Sequence, residues 1–526
     1  MGRLAFVATL ALTASGMTGC AQLFGLDTTT GAGPAVAPDA PPGTVNVEVT
    51  RMSIGASVTT APQDVTGLPV ASWLVADPSD STQLMRVAGK QVATDTWEAT
   101  IADGNPPVEI SLGSDYPDQY RRLIALPDRN IKYLYALYEH PDAVAIPTPP
   151  DSFTVNMSLV SPYATGDAFY VEAIGGWGYH PFNGAELPAP DMGLLAISAA
   201  ETYSPYDGTT GAGFVPWSGR PLNALTTGDT LIGLQYDASQ LIGAGEFPAF
   251  AEGSASTINE TMVSVITAPL DVMVNPATVN TRLQATRPAG GGVAMSWAVV
   301  AAPGYATASG LGPTLNSAAV AATDTGMITA PYGNPFASRG WNAMFEWVSS
   351  NNRSVTLSGG GTPYVATSGG LQDFAEVASG LSLATPAPLP ITISVNGTAL
   401  VADNMTLPMD LSKPVTLALE ADTNATPTMY QFNVYNLVLD ATSNAWGAHV
   451  AYVAYSATDS VTIPNDVFVA GQVYMIRGHT FVGGFANIAS GDFTTRALPF
   501  SLGYLDGGIF TATDTGAGSG SGSGAM

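Results

Sequence analysis

The feature that most limits what this chain can fold into is a short-period alternation of apolar and polar residues. Val45-Asn-Val-Glu-Val-Thr50 shows it first, and stretches 153–159, 168–173, 355–357, 391–395, 415–420 and 430–435 repeat it. A period of two sends neighbouring side chains to opposite faces of a strand, so each stretch can bury one face and wet the other. Glycine, proline, asparagine and aspartate break the pattern about every ten positions. The chain carries 57 glycines and 39 prolines, which interrupt helices and supply turns. Helix-period windows are scarce; the best, near 119–124 and 369–378, are short. Many short strands at this spacing predict an all-β protein of several β-sandwich domains in tandem. A length of 526 residues leaves ample room for them.

Charge excludes whole classes of partner. There are 42 acidic against 16 basic side chains, a formal net charge of -26, with only Lys90, Lys132 and Lys413 as lysines. A nucleic-acid binder needs a basic footprint, and polybasic adhesion to anionic lipid needs the same, so neither is expected.

Catalytic patterns fail in turn. His140, His180, His449 and His479 stand far apart, with no His-x-x-x-His or Glu-x-x-His spacing for a metal. No serine is framed as a nucleophile elbow, and no phosphate-binding or dinucleotide glycine loop occurs. Asp77/Asp80 and Asp115/Asp118 read as turn aspartates in preference to a calcium site. The expectation is a non-enzymatic protein with no cofactor and no metal.

The N-terminus carries a sharper signal. Met1-Gly-Arg3 supplies one positive charge, residues 4–12 form a nine-residue apolar core, and small residues lead to Met17-Thr18-Gly19-Cys20. Nine residues are too few to span a membrane, and the order is that of a secretory signal peptide. The last four residues resemble the lipobox of bacterial lipoproteins, with Met17 where that family favours leucine. The resemblance implies cleavage before Cys20, the chain's one cysteine, acylation of its thiol and attachment to a membrane through the lipid. Ala21 is not the aspartate that retains enteric lipoproteins at the inner membrane, which implies the outer membrane. The most apolar later run, 293–302, is half a span long and ends at Pro303.

The expected organisation is a signal peptide (1–19), a lipidated Pro/Gly/Thr-rich linker (20–44), a β-sandwich (45–150), a β-rich domain with aromatic loops (151–290), another β-rich domain (291–390), a last sandwich (391–513) and a flexible Gly/Ser tail (514–526). In the last unit, alternating stretches 415–420, 430–435 and 449–455 precede Ser460-Val-Thr-Ile-Pro464 and Gly471-Gln-Val-Tyr-Met-Ile-Arg477. That order resembles a fibronectin type III module, with Leu417 or Leu419 near the place of the family's early tryptophan. The resemblance implies an immunoglobulin/fibronectin-like sandwich that folds alone, with Tyr474 in its core. The first unit loosely resembles small sandwich modules of bacterial surface proteins.

Trp177, Tyr179, Tyr203, Tyr206 and Trp217, with His180 and Phe182, crowd one loop-rich stretch. Rings beside polar loop residues can form a sugar or peptide groove, or can fill a core. Three functions follow: a surface-exposed envelope lipoprotein acting in adhesion, envelope structure or partner binding; a lipoprotein that captures a glycan or peptide through these aromatics; and, most remotely, an outer-membrane β-barrel. The partners expected are a membrane through Cys20 and a protein or glycan.

Overall fold

The computed structural model describes residues 43–516, less stretches within them of which 112–120, 138–145, 248–255, 303–312 and 376–386 are the longest. The signal peptide, Cys20, almost all of the linker and most of the tail lie outside the described residues. Strands dominate, and the alternation explains their faces. In Thr44–Ile54, Val45, Val47 and Val49 are buried while Glu48 is exposed. The protein is an all-β assembly of several sandwiches.

The last sandwich sets the frame. Val473–Gly484 pairs with Met429–Asp440 on one side and with Ala497–Asp506 on the other, and Met429–Asp440 pairs on to Ala445–Ser456. Facing them is a separate sheet of Thr398–Ala399, Pro390–Val395, Val415–Ala421 and Ser460–Ile463. Leu417, Leu419 and Ile463 of that sheet interleave with Phe432, Val434, Tyr474 and Ile476. Tyr474 is buried, as expected of a core ring, and its hydroxyl accepts from the Val469 amide at 2.9 Å.

The sheet runs on past the boundaries drawn from sequence. Arg121–Ala125 adds in parallel to the outer edge of Ala445–Ser456, followed by Val108–Ile110, Ala71–Asp77 and Asp80–Ala88. At the opposite edge Tyr364–Phe374 pairs with Ala497–Asp506, then come Asn342–Ser354, Val293–Ala302 and Thr314–Val320. The result is one open sheet of 14 strands drawn from three of the four expected units. Its second face is covered by the sheet built on Thr44–Ile54: Val47, Ile131 and Tyr133 pack with Met429, Tyr455, Phe481 and Leu502. The last unit therefore forms a sandwich, but it shares an edge on each side and one whole face with the others.

Arginines mark these joints. Arg86 and Arg121 both reach Asp466, at 3.1 and 2.9 Å, while Glu109 accepts from Arg86 and from the Tyr452 hydroxyl. Arg282 meets Asp422 at 2.8 Å, Arg353 pairs with Asp403, and Arg339 with Glu246.

Three local expectations are corrected. Of the two helix candidates, 121–124 lies on the strand Arg121–Ala125 and 369–374 on the strand Tyr364–Phe374, each claimed by a partner strand that a weak helical period cannot outweigh, while Ala375 is helical and 119–120 and 376–378 lie outside the described residues. Residues 355–357 lie just beyond Asn342–Ser354 instead of within a strand, with the Val355 amide donating to the Pro363 carbonyl. One α-helix, Pro276–Thr286, is described along its whole length. Proline suits its first turn, and Asn275 caps it by accepting from the Thr278 amide.

The 151–290 stretch is its own sandwich. Asp151–Ser158, flanked by Ala196–Tyr203 and Ser256–Thr261, faces a sheet of Gly178–Pro181, Ala168–Ala173, Leu231–Asp237 and Gln240–Glu246. Phe153, Val155, Val171, Tyr203, Phe214 and Leu231 fill the space between. The outer face of the second sheet, through Leu234, Tyr236 and Leu241, packs into the core around Trp297 and Phe345.

Candidate functional site

The aromatic stretch does not form one surface. Tyr203 has no exposure; its ring meets Phe214 edge-on at 5.0 Å and its hydroxyl donates to the Asn223 carbonyl at 2.8 Å. It belongs to the sandwich core. Tyr179 points to the other face of its strand, half-buried against Tyr170, and burial, with Glu172, Tyr170 and Tyr206 nearby, pushes its phenol up to about 12. Tyr206 is exposed. Trp177 and Trp217 lie outside the described residues. A groove lined jointly by Tyr179 and Tyr203 is thus not made, because strand alternation sends them to opposite faces.

The aspartate pair Asp77/Asp80 closes a hairpin. Asp77 accepts from the Ser79 amide and hydroxyl at 2.7 and 2.6 Å, and these bonds hold its carboxyl below its usual range. That is turn chemistry. Asp115 and Asp118 lie outside the described residues, as does His140. His449 is exposed on its strand, and His479 is wholly buried among rings and amides.

What the structure does assemble is a cluster beside Tyr203 and Phe214. Ala196–Tyr203 alternates strictly, so Ile197, Ala199, Glu201 and Tyr203 all face the core. Glu201 is thereby a carboxylate on an apolar face, 4% exposed. Across the sandwich, Gly178–Pro181 points His180 inward, with no exposure, between the rings of Phe182 and Phe214. His180 Nε2 lies 3.1 Å from Glu201 Oε1 and 3.4 Å from Glu186 Oε2. Glu186 is about one-fifth exposed and comes from the segment that follows the His180 strand.

The other imidazole nitrogen settles the tautomer. Nδ1 stands 2.6 Å from the Gly213 carbonyl oxygen, which can only accept, so Nδ1 carries a proton. Burial alone would lower the His180 pKa; the Glu201 carboxylate and the Gly213 carbonyl, with Glu186 behind, outweigh it and raise it. Burying a carboxylate without compensation is strongly unfavourable, so a core position given to Glu201 needs a positive partner. Among the described residues this is the one group of three His, Cys, Asp or Glu side chains whose atoms converge within 4.8 Å.

Spacing along the chain hides the cluster, since positions 180, 186 and 201 match no ligand signature. Phase reveals it. Glu201 falls in step with Ile197 and Tyr203, and His180 in step with Gly178 and Phe182, so a polar residue out of place on each inward face is the readable signal.

No protein-family model matches this chain, and no curated protein is found to be similar to it. Among the described residues no helix is long and apolar enough to cross a membrane.

Proposed function

We propose that this is a cell-envelope lipoprotein, held to the outer membrane through a lipid on Cys20, whose folded body serves as a non-enzymatic scaffold that presents surface to a protein or glycan partner. The observation that carries the scaffold reading is the single sheet threading three stretches of sequence, covered on both faces along its middle strands and locked at its joints by arginine–carboxylate pairs. Such a body suits holding shape more than closing on a substrate. The open order of the sheet and the two covered faces of its middle strands also argue against a membrane barrel, which needs a closed sheet with one face to lipid. Within the body, 391–513 is proposed as a fibronectin type III-like module. Its strand order, a four-stranded sheet facing a longer one in which Val473–Gly484 lies between Met429–Asp440 and Ala497–Asp506, supports that.

The anchor rests on Met17-Thr18-Gly19-Cys20. Two or three acyl chains on one cysteine, each methylene adding ~0.8 kcal/mol of membrane affinity, hold a protein without a spanning helix. Replacing Cys20 by Ser should move the protein from the membrane to the soluble fraction, or leave it unprocessed. Metabolic labelling with a fatty acid that leaves the unaltered chain unmarked would overturn the anchor. Glycan capture now rests on Tyr179, Tyr206 and the two tryptophans, with Tyr203 withdrawn into the core.

A further inference from the structure

We propose that His180, Glu186 and Glu201 bind a divalent transition-metal ion, with zinc the best fit. Three features of the site point there independently. The first is the histidine's orientation. Its Nδ1–H is committed to a backbone carbonyl, which is how metal-ligating imidazoles are held, and its Nε2 then faces two carboxylates. The second is distance. A charge-assisted hydrogen bond would draw nitrogen and oxygen to about 2.7–2.9 Å, whereas the separations are 3.1 and 3.4 Å, and neither His180 Nε2 nor Glu201 Oε1 makes a hydrogen bond of acceptable geometry although both are buried. Zinc bonds of about 2.0–2.2 Å in a tetrahedron place neighbouring ligand atoms about 3.3–3.6 Å apart, close to what is seen.

Charge supplies the third. A neutral imidazole with two carboxylates carries two negative charges, of which protonating the ring offsets one. A dication brings the site to neutrality. One imidazole nitrogen and two carboxylate oxygens are a donor set that zinc accepts, while calcium and magnesium prefer oxygen alone. The ion would tie Glu201 on the three-stranded sheet to His180 on the facing sheet, and would fix the segment bearing Glu186 across them. Bound there, it acts as a clip between the two layers of this sandwich.

The test uses the full chain, stripped with a chelator and titrated with zinc against a competing chromogenic chelator. One zinc per chain should bind well above the background of surface carboxylates. Glu186→Gln, on the partly exposed member, should keep the far-ultraviolet spectrum and weaken binding by about a hundredfold or more, since even partners that only orient a ligand account for about 10–100-fold. Glu201→Gln should do the same, and if it unfolds, the Glu186 variant decides alone. Cobalt added in place of zinc should give the visible absorption of a four-coordinate site, lost in Glu186→Gln. Equal zinc affinity in the unaltered chain and in Glu186→Gln, or no stoichiometric binding in the unaltered chain, would overturn the proposal and leave a buried imidazolium between two carboxylates.

Discussion

At the scale of single residues, His479 has its protonation state written into its neighbours. Gln431 Nε2 donates to Asn433 Oδ1 at 2.7 Å, which turns the Asn433 amide nitrogen toward His479 Nε2 at 3.4 Å. That nitrogen must accept, so the ring is neutral. Burial, and then the charge of Arg477 two positions along the strand, hold its pKa well below 6.5. Phe481 and Tyr504 are its aromatic neighbours, and Arg477 itself is neutralised by Asp506 at 2.6 Å. The sign follows from proton counting. The unfolded chain binds a proton here below about 6.5 and the folded chain does not, so stability is full above that pH and falls as pH drops beneath it. The contribution is up to about 1.4 kcal/mol per pH unit. Thermal unfolding from pH 7 to 5 should show this slope, and His479→Gln should flatten it relative to the unaltered protein. An identical slope in both would refute the assignment. The same kind of reading explains why the carboxylate cluster was invisible in spacing yet present in phase. Strand alternation announces which face a residue takes, and says nothing of which residue lies across the core from it.

At the scale of elements, Ala497–Asp506 and Phe510–Asp514, both paired with Val473–Gly484, are joined by Gly507, Gly508 and Ile509. The Gly508 amide donates to the Leu400 carbonyl at 2.9 Å, and a Cβ at this position would overlap the Ala402 carbonyl oxygen and lie 2.9 Å from its carbon. Both obstacles are backbone, so no side chain can swing aside. Gly508→Ala should therefore destabilise the protein by about 1–3 kcal/mol, as overpacking of an interior does, seen as a lower denaturation midpoint. An unchanged midpoint would mean that the 400–402 crossing is looser than described. Strands of this sort were largely legible beforehand. Stretches 45–50, 153–159, 168–173, 391–395 and 415–420 all fall on strands, give or take an end residue, because their burial differs so clearly from one position to the next. Residues 121–124 and 369–374 misled as helix because a few residues of mixed polarity fit either period, and only the partner strand decides. Pro276–Thr286 escaped notice for the related reason that its buried positions, Val279 and Leu283, are few.

At the scale of the whole molecule, the sequence suggested units that stand alone, and the pairing shows units that finish one another. Backbone amides and carbonyls are the same in every strand, so nothing in residues 121–125 reveals that they will add to an edge more than three hundred positions away. Cutting out 391–513 would bare the edges of Ala445–Ser456 and Ala497–Asp506 and uncover Met429, Tyr455, Phe481 and Leu502. Each such side chain is worth about 1.5–3 kcal/mol when buried, and open edges invite pairing with other chains. The excised unit should give a β-type circular dichroism spectrum but self-associate and melt without cooperativity, while the full chain melts cooperatively. A monomeric fragment with a sharp transition would show that the module is self-sufficient after all. The first and last strands in chain order have a bearing of another sort. Thr44–Ile54 runs parallel to Asn130–Leu137, and Phe510–Asp514 runs parallel to Met405–Met409. A pull on either end, directed along its strand, meets a row of hydrogen bonds that must slide and break together; they cannot peel one by one. Each end of the described body is thus held by a mechanical clamp.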